Sequence, residues 1–345
     1  MIVEAISLLV SRSDLTQATI ELVFDEIFSG TATPAQIGAF LIALRMKGET
    51  PEEIAGAAEV MRRKASKVRS PPGRVVLDTC GTGGDGSHTF NISTAVAFVA
   101  AAAGVVVAKH GNRSISSKCG SADVLAAAGV NIDIDANTAE QCLAEVGIAF
   151  LFAPAFHAAM KHAAGPRREI GTRSVFNLLG PLANPAGATH QLLGTYAVAL
   201  VPVVAQTLAR LGTRRALVVH SDDGMDEISP CATTRGALVE DGSVRELIIE
   251  PEHAAIRRVS HDRLKGGDPA TNAAMLTEVL GGARNEFREA VVLNAGAALW
   301  VAEMADSIAE GADRARTILD EGAGLRKLRQ LAAATHAESQ GASSP

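Results

Sequence analysis

The chain has 345 residues, of which 47% are hydrophobic and 20% are charged, and its net charge at pH 7 is −6. This length allows two domains, or one large α/β domain with an appendage, and the composition is ordinary for a soluble globular enzyme. The acidic balance argues against a protein that binds nucleic acid through general charge attraction.

The cysteines and the apolar runs predict a cytoplasmic protein with no membrane association. The four cysteines lack C-x-x-C spacing and are expected to be reduced thiols, not a disulfide framework or zinc site: Cys80, Cys119, Cys142 and Cys231. The longest apolar run, residues 95–108, is too short to span a bilayer and contains Gly104. The first residues include Glu4 and no basic region, so no signal peptide is expected.

Residues 1 to about 70 predict helices only. Two of these helices begin with a threonine, a proline and a reciprocal capping residue: Thr33 with Gln36, and Thr50 with Glu53. The helix over residues 37–46 is apolar nearly all round, with Arg45 as its one charge, so it must be buried on several sides. Because so small a helical domain is not expected to bury it alone, we predict a homodimer through residues 1–70.

After a break at Ser70-Pro71-Pro72-Gly73, the pattern alternates between strand and helix, which is typical of a parallel sheet flanked by helices. Strands are predicted near 75–78, 105–108, 148–152, 192–198 and 215–220. Helices are predicted near 92–103, 121–128, 138–146 and 203–211, the third with a capping box that begins at Thr138. A hairpin is predicted around Asp241-Gly242, and helices return from Asp268. The predicted fold class is α/β, with a small all-helical N-terminal domain and a large domain around a mostly parallel sheet.

Residues 78–86 include four glycines between a predicted strand and a predicted helix. Glycines let backbone N–H groups turn inward, and a helix start adds unpaired donors and a positive dipole end. This order predicts a site for phosphate or pyrophosphate, because a glycine-rich turn without a ligand would only cost backbone entropy. Ser93 and Thr94, at the helix start, are expected to act both as caps and as ligand contacts.

The same glycines match the dinucleotide pattern G-x-G-x-x-G at Gly81, Gly83 and Gly86, which alone is a weak signal. A dinucleotide fold needs an acidic residue roughly 20 positions on, at the end of the second strand. This chain has Lys109 and His110 there. Asp85 inside the loop would repel a bare pyrophosphate, so the loop better fits phosphates that carry a divalent cation.

Two further polar segments follow predicted strands and are expected at the same edge of the sheet. Residues 109–118 contain three cations, a histidine, an asparagine and three hydroxyls, which suits a polyanion, with an exposed basic loop as the alternative. Residues 222–227 contain four carboxylates, which repel one another unless a cation neutralises them. Oxygen ligands alone favour magnesium over zinc, with a solvated acidic turn as the alternative.

Single residues are harder to interpret. Ser121, at the start of a predicted helix, is either a cap or a ligand contact. Arg167 could bind a carboxylate through two parallel hydrogen bonds, although an isolated arginine is more often a surface residue. His157 and His162 are five positions apart and do not share a helical face, so a metal pair is not expected.

Together these motifs resemble the anthranilate phosphoribosyltransferase family, from about residue 3 to 335. The segments that carry the resemblance are 81–85, 91–94, 109–113, 120–123, 175–182 and 226–227. Ser221 and Met225 stand where the family more often has glycine and leucine, and Ala158 where proline is frequent. These departures affect loop shape and not ligand groups.

The resemblance implies a helical domain of residues 1–72 plus about 166–188, and a large α/β domain of residues 73–165 and 189–345. It implies a homodimer joined through the helical domains. The implied reaction transfers phosphoribose from 5-phosphoribosyl 1-diphosphate to the amine of anthranilate and releases pyrophosphate, early in tryptophan biosynthesis. An aromatic amine needs no strong base, so no residue is assigned as a general acid or base.

The resemblance also implies three sets of site residues. The diphosphate sugar is held by Gly81, Gly84, Asp85, Thr89, Asn91, Ser93, Thr94, Lys109, Ser117 and Ser121. Anthranilate is faced by Gly81, His110, Asn112 and Arg167. Magnesium, at two ions per chain, is held by Ser93, Asp226 and Glu227.

Two other functions remain as alternatives. A pyrimidine nucleoside phosphorylase-like enzyme would bind free phosphate, whereas Asp226 and Glu227 favour a metal-bound diphosphate. A non-catalytic nucleic-acid-binding relative should have a basic surface, whereas this chain is net acidic and keeps each ligand motif.

Overall fold

Helices alone form the first part of the chain, as predicted: α1 (Ile2–Val10), α2 (Gln17–Ser29), α3 (Pro34–Lys47) and α4 (Pro51–Lys64). The structure is a computed structural model, and it describes residues 1–114 and 118–337. The capping boxes of α3 and α4 are both present, with Thr33 and Thr50 accepting from the backbone at Gln36 and Glu53. Each cap satisfies backbone donors that the first helical turn leaves unpaired.

The apolar helix α3 is only partly covered by its own chain. Ile37, Phe40 and Leu44 are fully buried or nearly so, whereas Met46 is 65% exposed. Apolar side chains of the adjacent helix α1 are exposed as well, including Val10 at 71%. The homodimer expected through this domain stays a prediction.

Among the described residues, seven strands form one sheet in the order β3-β2-β1-β4-β5-β6-β7. Their bounds are β1 (Val76–Gly81), β2 (Val106–Gly111), β3 (Ile148–Phe152), β4 (His190–Gly194), β5 (Arg215–Ser221), β6 (Thr234–Glu240) and β7 (Ser243–Ile249). The pairs from β3 through β5 are parallel, and β6 and β7 are antiparallel. The hairpin between β6 and β7 turns at Asp241 and Gly242, both with positive φ, as a tight hairpin turn requires. The predicted α/β class is confirmed.

The remaining helices alternate with the strands and then close the chain. They are α5 (Ile92–Ala102), α6 (Ser121–Ala127), α7 (Ala136–Gln141), α8 (Ala153–Phe156), α9 (Lys161–Ile170), α10 (Phe176–Leu182), α11 (Leu200–Arg210), α12 (Pro269–Leu280), α13 (Glu286–Val301), α14 (Ile308–Asp320) and α15 (Ala323–Ala334). A π-helical turn, Cys142–Val146, continues α7. No helix within residues 1–114 and 118–337 has the length and apolar character needed to cross a bilayer.

Three local expectations were wrong. Neither Ser93 nor Thr94 caps α5, because the helix begins after Asn91 and no side chain caps it. The capping box expected at Thr138 is not the helix start, because the Asp135 carboxylate caps α7 and accepts from both the backbone N–H and the hydroxyl of Thr138 at 2.8 Å. A carboxylate that satisfies two donors at once sets the helix start earlier in the chain. The strand expected over 192–198 ends at Gly194, because the chain turns away there to begin the loop before α11.

Each face of the sheet has its own hydrophobic core. On one face, α5 and α13 pack with α12, α14 and α15. On the other face, α11 lies on β5 and β6 and also contacts α4, so this core continues into the helical bundle. Helix α9 packs against α2 and α3, and α10 packs against α4. The bundle is therefore attached to one face of the sheet.

The strand order reverses at β1. The chain goes from β1 outward to β2 and β3, then returns to place β4 on the other side of β1. The loops that leave β1 and β4 therefore diverge, and a crevice forms at the carboxyl ends of these strands. Ligands bind at such reversal points in open α/β sheets, so this crevice is the candidate site.

Candidate active site

Three polar loops meet at this edge of the sheet, as the sequence predicted. They are the glycine loop (residues 81–86) at the end of β1, the basic loop (109–118, of which the structure describes 109–114 and 118), whose first three residues end β2, and the acidic loop (222–227) after β5. Parallel strands end at the same edge, so loops that are far apart in sequence become neighbours. The acidic loop contacts the glycine loop directly, with the Gly83 N–H donating to Asp226 Oδ2 at 2.9 Å.

Asp226 reaches the glycine loop because two strands end in glycine. A Cβ on Gly81 would lie 2.5 Å from Asp226 Oδ2, and a Cβ on Gly194 would overlap the Asp226 carbonyl oxygen. Gly194 therefore excludes any side chain, whereas a side chain at Gly81 would force the Asp226 carboxylate to move. Gly83, with φ +66°, also uses a conformation that other residues rarely adopt. The sequence indicated Gly81, but it carried no signal for Gly194.

Negative charge is concentrated beside the glycine loop. Asp85 Oδ2 accepts from the Asp226 N–H at 3.3 Å, and Glu227 Oε1 accepts from the Ser93 N–H at 3.1 Å. Burial, reinforced by Asp85, raises the pKa of Asp226 to about 7. Burial, reinforced by Asp226, raises the pKa of Glu227 to about 8. These carboxylates repel one another, so a cation would stabilise their charged forms.

The donor set fits a magnesium ion that is shared with a ligand. Carboxylate and hydroxyl oxygens are ligands that magnesium accepts, and Asp226, Glu227 and Ser93 supply them. Among the described residues, no cluster of three or more histidine, cysteine, aspartate or glutamate side chains could hold an ion. Magnesium is commonly bound by one or two carboxylates together with phosphate oxygens and water. The residues therefore fit an ion whose coordination a bound phosphate completes.

Lys109 is buried beneath the start of α5. The residue is only 3% exposed. Its Nζ donates to the Thr79 carbonyl at 2.5 Å and to Ser93 Oγ at 3.3 Å. Burial lowers the pKa of the lysine, against the opposing effect of Asp78. Thr94 Oγ1 is also buried and has no hydrogen-bond partner within the described part of the chain. A cation, a helix start and an unused hydroxyl at one place suit an anionic ligand.

Two other residues expected to hold the sugar already make hydrogen bonds or a β-bridge within the protein. Asn91 donates to the Cys119 carbonyl at 3.3 Å and accepts from Asn272 at 2.9 Å. Thr89 pairs with Lys265 in an isolated bridge. Asn272, on α12, lies 181 residues from Asn91 and was missed, since no local pattern marks it.

Ser121 and Asn112 are likewise hydrogen-bonded to each other within the protein. Ser121 Oγ donates to the Asn112 carbonyl at 3.3 Å, and the N–H of Ala122 donates to the same oxygen. The two sequence-predicted residues are thus brought together, and Ser121 also begins α6. Ser117 lies outside the described residues.

His110 is a buried, neutral imidazole. Its Nδ1 lies 2.9 Å from the Gly180 carbonyl, which can only accept, so Nδ1 carries the proton. Its Nε2 is buried and has no hydrogen-bond partner among the described residues. Burial, with His157 nearby, lowers the pKa of His110 to about 3. The imidazole therefore offers Nε2 as a hydrogen-bond acceptor and carries no proton there to donate.

His157 lies beside His110, with ring centroids 5.1 Å apart. It is 3% exposed, and burial lowers its pKa to about 4. The sequence suggested only that it does not form a metal pair with His162. Its packing against His110 could not be predicted from the spacing of residues in the sequence. The two histidines are brought together because β2, which contains His110, pairs with β3, which precedes His157.

Arg167, on α9, is half-buried and lies over an aromatic ring. Its guanidinium carbon is 4.8 Å from the centroid of Phe176, and burial lowers its pKa. No carboxylate pairs with it in residues 1–114 and 118–337. Phe176 begins α10, the helix whose Gly180 carbonyl accepts from His110. Helix α10 therefore links the two residues expected to face the second substrate, while Arg168 is exposed.

Comparisons with known proteins agree with this architecture. Residues 3–65 match the helical bundle domain of a glycosyl transferase family, and residues 73–325 match its a/b domain. The chain is 56% identical over 335 residues to anthranilate phosphoribosyltransferase from Anaeromyxobacter dehalogenans (strain 2CP-1), covering 97% of this chain and 99% of the relative.

Two solved structures are also similar over nearly their full lengths. Anthranilate phosphoribosyltransferase from Thermus thermophilus has a TM-score of 0.91 and 39% identity, covering 96% of this chain and 99% of that one. The enzyme of the same name from Saccharomyces cerevisiae, in complex with PRPP and Mg, has a TM-score of 0.88 and 27% identity. It covers 97% of this chain and 98% of that chain.

Proposed function

This chain belongs to the anthranilate phosphoribosyltransferase family, and we propose that its three polar loops carry out the transfer that the family name describes. The phosphoribosyl group of 5-phosphoribosyl 1-diphosphate passes to the amine of anthranilate, giving N-(5-phosphoribosyl)anthranilate and pyrophosphate. The chain is thus a transferase of tryptophan biosynthesis. The observation that carries this proposal is the contact of the glycine loop with the acidic loop, beside a buried lysine at the start of α5.

We assign the diphosphate sugar to the glycine loop, the start of α5 and the basic loop. The residues proposed are Gly81, Gly84, Asp85, Thr89, Asn91, Ser93, Thr94, Lys109, Ser117 and Ser121. Backbone N–H groups of the loop and helix start can donate to phosphate oxygens, and Lys109 supplies a positive charge that water does not screen. The unused hydroxyl of Thr94 supports this assignment, because a phosphate oxygen would satisfy it.

The chain uses magnesium, as the yeast relative with PRPP and Mg bound indicates, and we propose two ions held through Ser93, Asp226 and Glu227. Two ions are supported by the different neighbours of the carboxylates. Asp226 contacts the glycine loop, whereas Glu227 contacts the start of α5. Magnesium held by these residues would neutralise the charge that develops on the departing diphosphate.

We assign anthranilate to Gly81, His110, Asn112 and Arg167. Arginine can bind a carboxylate through two parallel hydrogen bonds. Arg167 has no carboxylate partner among the described residues. His110 offers Nε2 as a neutral acceptor to the substrate. The amine nitrogen forms a bond to C1 of the ribose while the bond between C1 and the diphosphate oxygen breaks, and the electrons of the broken bond leave with the diphosphate. The amine also loses one proton, which passes to solvent. Positioning and stabilisation of the leaving group supply the rate.

A direct assay tests the proposal. The protein, magnesium and 5-phosphoribosyl 1-diphosphate are mixed with anthranilate, uracil or thymine in separate reactions. We expect loss of anthranilate fluorescence and release of pyrophosphate with anthranilate alone. Turnover of uracil or thymine in place of anthranilate would favour a pyrimidine-specific enzyme and overturn the proposal.

We also propose the domain division of residues 1–72 plus about 166–188 against residues 73–165 plus 189–345. The packing of α9 on α2 and α3, and of α10 on α4, supports it. A homodimer through the helical domain is supported by the exposed apolar side chains of Val10 and Met46 on adjacent helices. A monomer mass in light scattering of dilute protein would contradict the dimer.

A cytoplasmic location completes the proposal. Cysteine spacing that fits reduced thiols, and not a disulfide framework, supports it. Both substrates are small molecules, and the net acidic chain gives no reason to add a nucleic-acid partner. Fractionation of cells that express the tagged protein, with activity followed in each fraction, would test the location.

A further inference from the structure

Arg173 is an exposed arginine in the loop between α9 and α10 that the assignment above does not use. Helix α9 packs against α2 and α3, so this loop is anchored to the helical bundle. The side chain nevertheless reaches the glycine loop, where Nη2 donates to the Gly84 carbonyl. One side chain therefore joins the segment that carries Arg167 to the loop assigned to the diphosphate.

Tyr196 holds Arg173 in place. The guanidinium carbon lies 4.2 Å from the centroid of the Tyr196 ring, a distance at which a cation is attracted to the ring face. Tyr196 lies just beyond β4, and its N–H donates to Thr82 Oγ1 at 3.0 Å. Its hydroxyl accepts from Arg45 of α3 at 3.4 Å. The glycine loop is thus hydrogen-bonded to Tyr196 at Thr82 and to Arg173 at Gly84.

The glycine loop needs such support because glycines lose more conformational freedom on ordering than other residues. Gly83 and Gly84 have φ of +66° and +77°. A Cβ on Gly84 would lie 3.4 Å from Arg173 Nη2, so the arginine also occupies the space beside the loop. No carboxylate neutralises Arg173 among the described residues, which leaves its positive charge beside the anion site.

We propose that Arg173, stacked on Tyr196, is a positioning residue that holds the glycine loop in the shape that receives the diphosphate sugar. The inference rests on the proposed function for the identity of the ligand, but not for the contacts. Arg173 contacts the loop at Gly84, which is assigned to the diphosphate sugar alone, whereas Gly81, the one loop residue also assigned to anthranilate, lies at the end of β1. Loss of Arg173 therefore acts on the diphosphate sugar and leaves anthranilate binding nearly unchanged.

The test compares Arg173→Ala and Arg173→Lys with Arg168→Ala, a change of another exposed arginine on the neighbouring helix. In the protein without ligands, amide hydrogen exchange of the peptide that covers the glycine loop should be faster in Arg173→Ala only. The KM for 5-phosphoribosyl 1-diphosphate should rise about tenfold in Arg173→Ala, with a smaller rise in Arg173→Lys, which keeps a donor. The KM for anthranilate should stay within about twofold.

Tyr196 supplies an independent check. Tyr196→Phe keeps the ring under the guanidinium and should behave like the parent, whereas Tyr196→Ala should resemble Arg173→Ala, and the double variant should add little. Parental loop exchange and parental KM in Arg173→Ala, or an equal rise of KM for both substrates, would overturn the proposal. A parent protein that turns over no anthranilate would overturn the proposed function instead, while the exchange measurement would still decide the role of Arg173.

Discussion

The candidate site has two halves that hold charge differently. In the diphosphate half (the glycine loop, Lys109, Asp226 and Glu227), the charged groups already hydrogen-bond to backbone or hydroxyl groups. In the aromatic half (His110, His157 and Arg167), the imidazoles are neutral, and the arginine lies over a ring.

The difference follows from what each half is proposed to bind. A diphosphate with magnesium brings large charges of both signs, so fixed carboxylates and a lysine in that half gain strong interactions when it arrives. Anthranilate is a flat ring with one carboxylate, so one unpaired arginine and neutral neighbours suffice. A substitution in one half should therefore affect one substrate more than the other.

Loss of an acidic-loop carboxylate should have the largest effect. Asp226→Ala or Glu227→Ala should lower kcat/KM for the diphosphate sugar on the order of a hundredfold at limiting magnesium, because a fixed charge that holds the cation is gone. Steady-state rates over a magnesium titration measure it. Asp222→Ala is the control, since this exposed carboxylate of the same loop pairs with Arg235. If both variants keep the parental magnesium dependence, the acidic loop is only a solvated turn.

Neutral histidines should make the aromatic half sensitive to acid. Burial lowers the pKa of His157 from its ordinary 6.5 to about 4, so between these values the unfolded chain binds a proton that the folded chain does not. Stability is therefore complete above pH 6.5 and falls as pH drops toward 4. From this linkage the parent should lose about 2 kcal/mol more than His157→Gln between pH 7 and pH 5.

Urea unfolding at several pH values measures this difference. His253→Gln, a change of an exposed histidine, should keep the parental pH dependence. A parental slope in His157→Gln would mean that the imidazole is protonated in the folded protein, and the neutral description of the aromatic half would be wrong.

Arg167→Ala should separate the halves kinetically. Without the guanidinium, the KM for anthranilate should rise at least about tenfold, on the order of 1.4 kcal/mol, while the KM for the diphosphate sugar moves far less. Kinetics with each substrate varied in turn test this, with Arg168→Ala as the exposed neighbour control. An equal loss for both substrates would show that Arg167 does not belong to the aromatic half.

The smallest effect is expected at Thr94. Its hydroxyl is buried without a partner among the described residues, so Thr94→Val should leave the free protein at least as stable as the parent. The KM for the diphosphate sugar should nevertheless rise about three- to fivefold, because a bound oxygen loses a hydrogen bond. Thr207→Val is the matched control: that buried hydroxyl donates to the Val203 carbonyl, so stability should fall and KM should not change. A parental KM in Thr94→Val would remove Thr94 from the site.

Local chemistry let the sequence determine much of this protein. The capping boxes at Thr33 and Thr50, the turn at Asp241-Gly242 and the glycine loop each depend on residues a few positions apart, and the structure contains them all. The motifs were also specific enough to identify the family. Where two local signals competed, as at Asp135 and Thr138, the pattern chose the wrong cap, because hydrogen-bond geometry and not residue type decides between neighbouring caps.

Only the tertiary structure decided which distant residues meet. Gly194 must lack a side chain because β5 lies beside β4 and the loop after β5 brings the Asp226 backbone against it. Asn272 reaches Asn91 across 181 residues, and Arg173 reaches Gly84 across 89. Periodicity and capping report on hydrogen bonds within one or two turns of chain, whereas these contacts depend on strand order and on how the helical bundle rests on one face of the sheet.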